Sequence, residues 1–273
     1  MSCANEAAVA PSALAFDQVA SSYDQLFTHT AVGWAQRRQV WRHLDAAFPP
    51  GNRILELNCG TGVDARFLAN GGRFILACDA SMRMLAVARS HAAEQNSAGN
   101  PEYLQLANEQ LRELDGQAQF DGAFSNFSGV NCVADLAAIA VSLARLVRPG
   151  GKVLLCLWGR FCVGEIVWYL SHGRVRKALR RLSREASASL GGVEFRVHYH
   201  TVEQTEQAFA PWFLLKARHA IGLFVPPSYL ERTIAGCPPI LTILEFIDRL
   251  VAGWPLLRDA GDHVLLEFER CHR

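Results

Sequence analysis

Apolar and polar positions along the chain fall into short apolar runs alternating with longer amphipathic stretches, the mark of strands and helices taken in turn. Arg53-Ile54-Leu55-Glu56-Leu57 is a compact apolar run that enters the glycine turn Asn58-Cys59-Gly60-Thr61-Gly62, and Val63 to Asn70 then takes helical spacing. Gly71-Gly72 stops that helix, Phe74 to Cys78 forms the next strand with Asp79 at its end, and Ser81 opens a helix through Glu94. Tyr103 to Leu106, Phe120 to Ser125, a helix over Ala134 to Leu146 and a strand over Lys152 to Trp158 continue the rhythm, with Arg148-Pro149-Gly150-Gly151 as a break. Such alternation predicts an α/β protein with a parallel sheet.

The flanks differ from this core. Phe16 to Phe27 and Ala31 to Phe48 predict two helices, the second rich in Arg and Trp and stopped by Pro49-Pro50-Gly51. After Trp158 no strand follows at once: residues 160–212 read as an amphipathic helical cap, Phe213 to Gly222 as a strand, Pro226-Pro227 to Leu257 as helical, and His263 to Glu269 as a closing strand. The expected division is a tail with lid helices (1–50), a ligand-binding core (51–159), a helical cap insertion (160–212), and C-terminal strands (213–273) with a helical insertion at 226–258. No internal repeat or low-complexity segment interrupts it.

Composition narrows the function classes. Half of the 273 residues are hydrophobic and 19% charged, an ordinary globular balance that argues against disorder. A formal net charge of +1 supplies no global field toward nucleic acid or a membrane, so no nucleic-acid partner is expected and any electrostatic recognition must be local. Most of the eight cysteines sit in apolar runs, and none has C-x-x-C spacing, which predicts buried thiols of a cytoplasmic protein and no metal. Glu6 interrupts the small apolar residues 1–15 and no basic segment precedes them, so a secretory signal is not expected, and no apolar run reaches the roughly 18 residues of a transmembrane span.

The glycine turn follows the first strand and opens a helix, where glycines admit a close ligand and helix N–H groups face it. Asp79 ends the second strand about 20 residues on, where a carboxylate accepts both hydroxyls of a ribose. Together they predict an adenine nucleoside ligand. A dinucleotide would call for a third glycine under its pyrophosphate, whereas Gly62 is followed by Val63-Asp64-Ala65. A carboxylate at Asp64, with Glu56 ending the first strand, suits a ligand that carries cationic groups and no phosphate.

Leu55-Glu56-Leu57-Asn58-Cys59-Gly60-Thr61-Gly62 closely resembles the first motif of the class I S-adenosylmethionine-dependent methyltransferases, with Asn58 in place of a frequent glycine. Cys78-Asp79-Ala80-Ser81 with Met84-Leu85 resembles their second motif, Phe120 to Phe127 their fourth, Arg148-Pro149-Gly150-Gly151 the turn before strand five, and Phe16-Asp17 with Val19-Ala20 and Tyr23-Asp24 an N-terminal lid. The match runs in register over about residues 15–160. It implies a Rossmann-like seven-stranded, mostly parallel sheet with helices on both faces, and S-adenosyl-L-methionine as cofactor. It further implies that Tyr23 and the backbone of Gly60, Thr61 and Gly62 hold the methionine portion, with Glu56 and Asn58 in the same motif. Asp79 would hold the ribose, Ala80 and Met82 the adenine edge, and Asn126 with Phe127 the region behind the methionine. Where many relatives carry an acidic adenine partner after strand three, this chain has Ala107, beside which Asn108 is a substitute.

The implied activity is methyl transfer to a small organic acceptor in a capped pocket. Acceptor candidates are Glu165, Trp168, Tyr169 and Tyr229, in segments that relatives use to enclose substrate. His198 and His200, flanking Tyr199 at strand spacing, share one face, so the three are candidate catalytic residues, and no nearby cysteine or carboxylate completes a metal set. Arg174, Arg176, Lys177, Arg180, Arg181 and Arg184 form a basic run opposite Val175, Ala178, Leu179 and Leu182, read as a solvated helix face, with an anionic substrate or peripheral membrane contact as its functional alternative. Rivals to the enzyme reading are a non-methylating binder of the same cofactor and a nucleotide-binding regulatory module. A nicotinamide oxidoreductase is disfavoured by the missing third glycine and by Asp64.

Overall fold

The computed structural model describes residues 10–95, 99–116, 119–228, 230 and 238–272. Helix α1 (Pro11–Val19) leads through a π-helical turn (Asp24–Thr28) to α2 (Ala31–Ala47), so the expected helix over 16–27 is broken in two. The core follows as β1 (Arg53–Leu57), α3 (Val63–Asn70), β2 (Phe74–Asp79), α4 (Met82–Gln95), β3 (Glu102–Gln105), β4 (Phe120–Ser125), α5 (Leu136–Leu146) and β5 (Val147–Trp158). Beyond it lie α6 (Val163–Ser171), α7 (Val175–Ala178), β6 (Glu185–Leu190), β7 (Val193–His198), α8 (Val202–Phe209), β8 (Phe213–Ile221), α9 (Pro238–Val251) and β9 (His263–Arg270).

Seven strands form one sheet in the order β3-β2-β1-β4-β5-β9-β8, and β6 and β7 pair separately. The pairs β3–β2, β2–β1, β1–β4 and β4–β5 are parallel, while β9 runs antiparallel to both β5 and β8. β1 to β5 and β8 therefore all end at one edge of the sheet, where β9 begins: His263 pairs with both Trp158 and Ile221. The sheet is apolar on both faces, as a helix-covered parallel sheet must be. Leu55, Leu57, Val153, Leu155, Leu266 and Phe268 join α5 on one side; Ile54, Leu154, Cys156 and Leu265 join Val40 and Leu44 of α2 and Leu68 of α3 on the other. Adjacent residues within β5 and β9 thus serve opposite cores, the two-residue period of a strand.

Local chemistry sets the ends of the elements. Thr30 caps α2 by accepting from Gly33 N, Asp135 caps α5 by accepting from Ala137 N and Ala138 N, and Thr201 and Gln204 make a reciprocal capping box on α8. The cap region is helical only as far as Leu182; residues 185–198 form an antiparallel hairpin instead of the expected helix. Its turn is Gly191-Gly192, both at positive φ (58° and 81°), the left-handed pair that a two-residue hairpin requires. The helical expectation over 226–257 is met at 238–251, and residues 231–237 lie outside the described residues. Among the described residues no helix is long and apolar enough to cross a membrane.

Where α2 crosses β8, the rings of His43 and His219 sit 4.2 Å apart. Burial, reinforced by His219, lowers the His43 pKa to about 4, and burial lowers that of His219 too. An unfolded histidine titrates near about 6.5. Between these values the unfolded chain binds more protons than the folded one, so stability is present at neutral pH and lost as pH falls from about 6.5 through about 4. His43→Phe, which keeps a ring against His219, should lose less stability than the native chain over that acid range, by up to about 3 kcal/mol. Thermal melts at stepped pH check this, and parallel melting curves for the two proteins would refute it.

Candidate functional site

The order β3-β2-β1-β4-β5 reverses direction between β1 and β4, and ligands of open α/β sheets bind outside the strand ends at such a switch point. A cleft opens there. Its wall includes Gly60, Thr61 and Asp64 from the glycine turn and α3, Asp79 and Ala80 beyond β2, Asn126 and Phe127 beyond β4, and Phe16 and Tyr23 from the N-terminal segment.

The turn owes its shape to its residues. Asn58, Gly60 and Gly62 have φ of 56°, 53° and 72°, and a side chain at Gly62 would reach within 2.5 Å of the Tyr103 hydroxyl. Asn58 occupies the left-handed region that glycine takes most readily; its Oδ1 accepts from Ser125 Oγ (3.1 Å) and Asn108 Nδ2 (3.3 Å), which helps hold it. Asp79 braces the turn from the next strand, its Oδ2 accepting from Gly60 N and its Oδ1 from Ser81 N, each at 2.8 Å. Burial raises the Asp79 pKa, and these two N–H donors pull against the rise.

The N-terminal segment is fastened to the same turn. Thr61 Oγ1 donates to Asp24 Oδ1 (2.7 Å), and Asp17 Oδ1 accepts from Ser81 Oγ (2.6 Å) and Arg83 N (3.0 Å). Phe16 packs on Tyr23 and on Phe195 of β7, so α1 bridges the cleft and the hairpin.

Asp64 differs from its expected role. It is buried, with Oδ2 2.6 Å from Arg37 NH1 and 2.9 Å from Asn126 Nδ2, while Oδ1 accepts from Trp41 Nε1 (2.6 Å). Its charge is therefore met within the protein, by donors from α2 and the end of β4, and is not free for a ligand cation. Burial works against the Arg37 charge, yet the pKa stays raised because Asp64 opposes that cost. Arg37 itself lines the cleft and lies over the Phe127 ring at 4.7 Å. Sequence reasoning missed it, although an arginine on the helix that also buries Val32, Val40 and Leu44 was a signal.

Of the other expected cofactor residues, Tyr23, Asn58, Gly60, Thr61, Asp79, Ala80, Asn126 and Phe127 line the cleft. Glu56, Gly62, Ala107 and Asn108 do not; Glu56 is buried, and Asn108 is joined to the lining through Asn58. Met82 is 60% exposed and outside the cleft, while buried Met84, one helical turn-half further on, lines it.

The acceptor candidates are scattered. His198, Tyr199 and His200 line a separate hollow with Asp135, Arg184 and Gln204, which shares no residue with the cleft. His200 Nε2 lies 2.9 Å from Val133 O, and burial lowers its pKa. Glu165, 1% exposed, is held between Arg180 (2.6 Å) and Arg181 (2.5 Å), so it anchors the cap and offers no free carboxylate to a substrate. Arg181 is itself buried and reaches Asp262 Oδ1 at 2.6 Å, which corrects the reading of the whole basic run as a solvated face. Cys162, Glu165 and Asp262 bring three possible ligand atoms within 4.8 Å of one another, but the guanidinium groups already supply the positive charge there. Trp168 stacks on His172 and Tyr169 faces Lys177 and Arg180 outside the cleft, and Tyr229 lies outside the described residues.

A mostly parallel sheet with a glycine turn at its switch point and a carboxylate ending the second strand defines a Rossmann-like protein of the nucleoside-binding kind. A family model described as a methyltransferase domain matches residues 54–151. A demethylmenaquinone methyltransferase of Mycobacterium sp. (strain KMS) is 34% identical over 144 residues, 52% of this chain and 56% of that one, so the match spans about half the length of this curated relative. The Mycobacterium marinum protein of the same name is 32% identical over 177 residues, covering 64% of this chain and 70% of that one. Among solved structures, Haemonchus contortus phosphoethanolamine N-methyltransferase 2 in complex with S-adenosyl-L-methionine shares the fold, with a TM-score of 0.58 and 21% identity over 93% of this chain and 57% of that one. The chain belongs to the class I S-adenosylmethionine-dependent methyltransferases.

Glu56 gives the site a measurable signature. It is 1% exposed, its Oε2 has no hydrogen-bond partner, and burial together with the Asp64 charge pushes its pKa well above the usual carboxylate range. The folded chain then holds a proton that the unfolded chain releases near about 4.3, so stability is complete below that pH and declines as pH rises through the folded value. Glu56→Gln carries no charge at any pH. Its melting temperature should gain on the native chain progressively as pH rises from about 4 toward neutrality; a constant offset across that range would show an ordinary, ionised Glu56.

Proposed function

We propose that the chain binds S-adenosyl-L-methionine in the cleft between β1, β2 and β4 and transfers its methyl group to a small organic acceptor. Asp79 carries this reading: it ends β2, lines the cleft and faces the glycine turn, as a ribose partner must. The cleft also fits the ligand by polarity. Thr61, Arg37 and Asn126 gather at one end, where a ligand carboxylate would find the guanidinium, and the Arg37 Nε is buried without an acceptor. Ala13, Phe16, Ala80 and Met84 offer apolar surface for a base. A Cβ at Gly60 would meet nothing within 4 Å, leaving room for close approach.

When bound, the cofactor would supply an electrophilic methyl carbon on a sulfonium, open to in-line displacement by an acceptor atom. The protein's share is to hold the acceptor on that line and keep water out. Phe16 and Tyr23 from the lid, with Phe127 on the opposite wall, provide the dry side of the cleft. The demethylmenaquinone methyltransferases that the chain resembles point to a ring-bearing, quinol-like acceptor, and this aromatic wall suits one. Among the described residues no imidazole lines the cleft, so a role for His198, Tyr199 and His200 requires a molecule that spans both hollows.

Calorimetry should show binding of S-adenosyl-L-methionine and of S-adenosylhomocysteine but not of NAD, and a turnover assay should release S-adenosylhomocysteine. Tight NAD binding would refute the assignment, and cofactor binding with no acceptor-dependent product would favour the non-methylating reading.

Asp79→Ala removes two acceptors for the diol, charge-assisted bonds worth on the order of 1.5–3 kcal/mol each, and should weaken cofactor binding at least about tenfold. Asp79→Asn keeps one oxygen but turns an NH2 toward either Gly60 N–H or Ser81 N–H, so it should also lower the melting temperature. The deciding readout is the ligand-induced rise in melting temperature. If it persists undiminished in both variants, Asp79 only braces the turn.

A further inference from the structure

Helices α6 and α9 leave from the sheet edge that carries the cleft, α6 after β5 and α9 after β8, and both carry apolar ridges exposed to solvent. On α6 the ridge is Val163, Val167 and Leu170, one helical face, with Phe161 just ahead; Val175, Leu179 and Leu182 continue it along α7 and the turn beyond. On α9 it is Ile240, Ile243, Phe246 and Leu250, followed by Trp254 (58% exposed) and Leu256 (94% exposed). The start of α6 is tied to the segment that follows Trp254 and Leu256, where Val163 N donates to Ala260 O. Soluble proteins seldom leave so much large apolar side chain uncovered without a partner.

The exposed charges beside these ridges are basic except for Glu185, which follows Arg184. Arg174, Arg176, Lys177 and Arg184 are exposed around α7, and Arg249 is exposed on α9. The carboxylates of the same elements are engaged: Glu165 by Arg180 and Arg181, Glu245 by Arg38, and Asp248 by the backbone N–H groups of Leu223, Phe224 and Val225. A second copy docking through this face would set like charges against each other. An anionic surface with an apolar interior would satisfy both features, and tryptophan and leucine beside lysine and arginine is the pattern of interfacial helices.

We propose that the α6–α7 and α9 edge is a docking surface for an anionic lipid bilayer, which would bring the cleft edge of the sheet against the membrane. This rests on the exposed residues alone and stands apart from the methyl-transfer reading.

Flotation of the full chain with phosphatidylcholine vesicles, with and without phosphatidylglycerol, tests it. The chain should float with the anionic vesicles, release as salt is raised, and stay unbound with neutral ones. Reversing the charge of Arg174, Arg176 and Lys177 together to Glu, and separately Val167→Ser with Leu170→Ser and Leu256→Ser, should each cut binding by about tenfold or more. Both variants should keep the native affinity for S-adenosylhomocysteine, which reports on folding and on the cofactor reading independently. Absence of flotation, or flotation indifferent to both variants, would overturn the proposal; so would a concentration-dependent dimer that the Ser variant dissolves, since a second copy would then cover the face.

Discussion

Helix α2 satisfies three buried aspartates, and the rest of the architecture hangs on that arrangement. Gln36 donates to Asp262 Oδ2 (3.1 Å), Arg37 pairs with Asp64 (2.6 Å), and Gln39 donates to Asp248 Oδ2 (3.0 Å). The three acceptors sit at the start of β9, in the first turn of α3 and in α9. Removing one partner of a buried ion pair costs about 3–5 kcal/mol because the other charge is left without compensation. The helix is thus fixed to the cleft and to the C-terminal elements at once, by residues within little more than one helical turn.

The Asp64 node shapes the cleft directly. By holding Asn126 it fixes the chain as it leaves β4, and Asn126 Oδ1 in turn accepts from Phe127 N (2.8 Å). Phe127 and Ser128 then adopt φ of 44° and 66°, uncommon for residues with side chains and costly by about 1–3 kcal/mol each. Arg37 over the Phe127 ring and His263 at 5.3 Å from it on another side keep that ring in place as a wall of the cleft. Strain of this kind persists only where surrounding contacts determine the geometry, and here the contacts trace back to α2.

Much of this was legible in the sequence where the cause was local. The strands β1, β2 and β4 are short apolar runs with sharp ends, and the glycine turn and Asp79 announce themselves by spacing. The hairpin at 185–198 was missed because the basic amphipathic run before it carried a helical reading forward, although Ser187 and Ser189 alternate with Ala188 and Leu190 before Gly191-Gly192. Asp64 was read by its charge alone, since nothing in the local pattern says that Arg37 and Trp41 reach it from the preceding helix. Glu165 failed for the same reason, its partners Arg180 and Arg181 being a loop away on an element whose charges looked solvated. Buried pairings are tertiary facts, and residue type in a motif does not reveal whether a charge has already been met.

A second node, at Asp262, ties α2 to the elements that follow β5. Asp262 is bonded by Gln36 of α2 and by Arg181, and Arg181 also holds Glu165 of α6. Its pKa is lowered although burial alone would raise it, because His263 and Arg181 stand against it. Two chains of polar contacts therefore meet on the backbone of α2: Asn126 through Asp64 to Arg37, and from the adjacent Gln36 through Asp262 and Arg181 to Glu165. Asn126 lines the cleft and Glu165 anchors the first cap helix, so a shift of α2 cannot loosen one end while leaving the other intact. Where a cleft is walled by side chains from separate elements, such a strut gives the cleft wall and α6 a common reference, which loops alone would not provide.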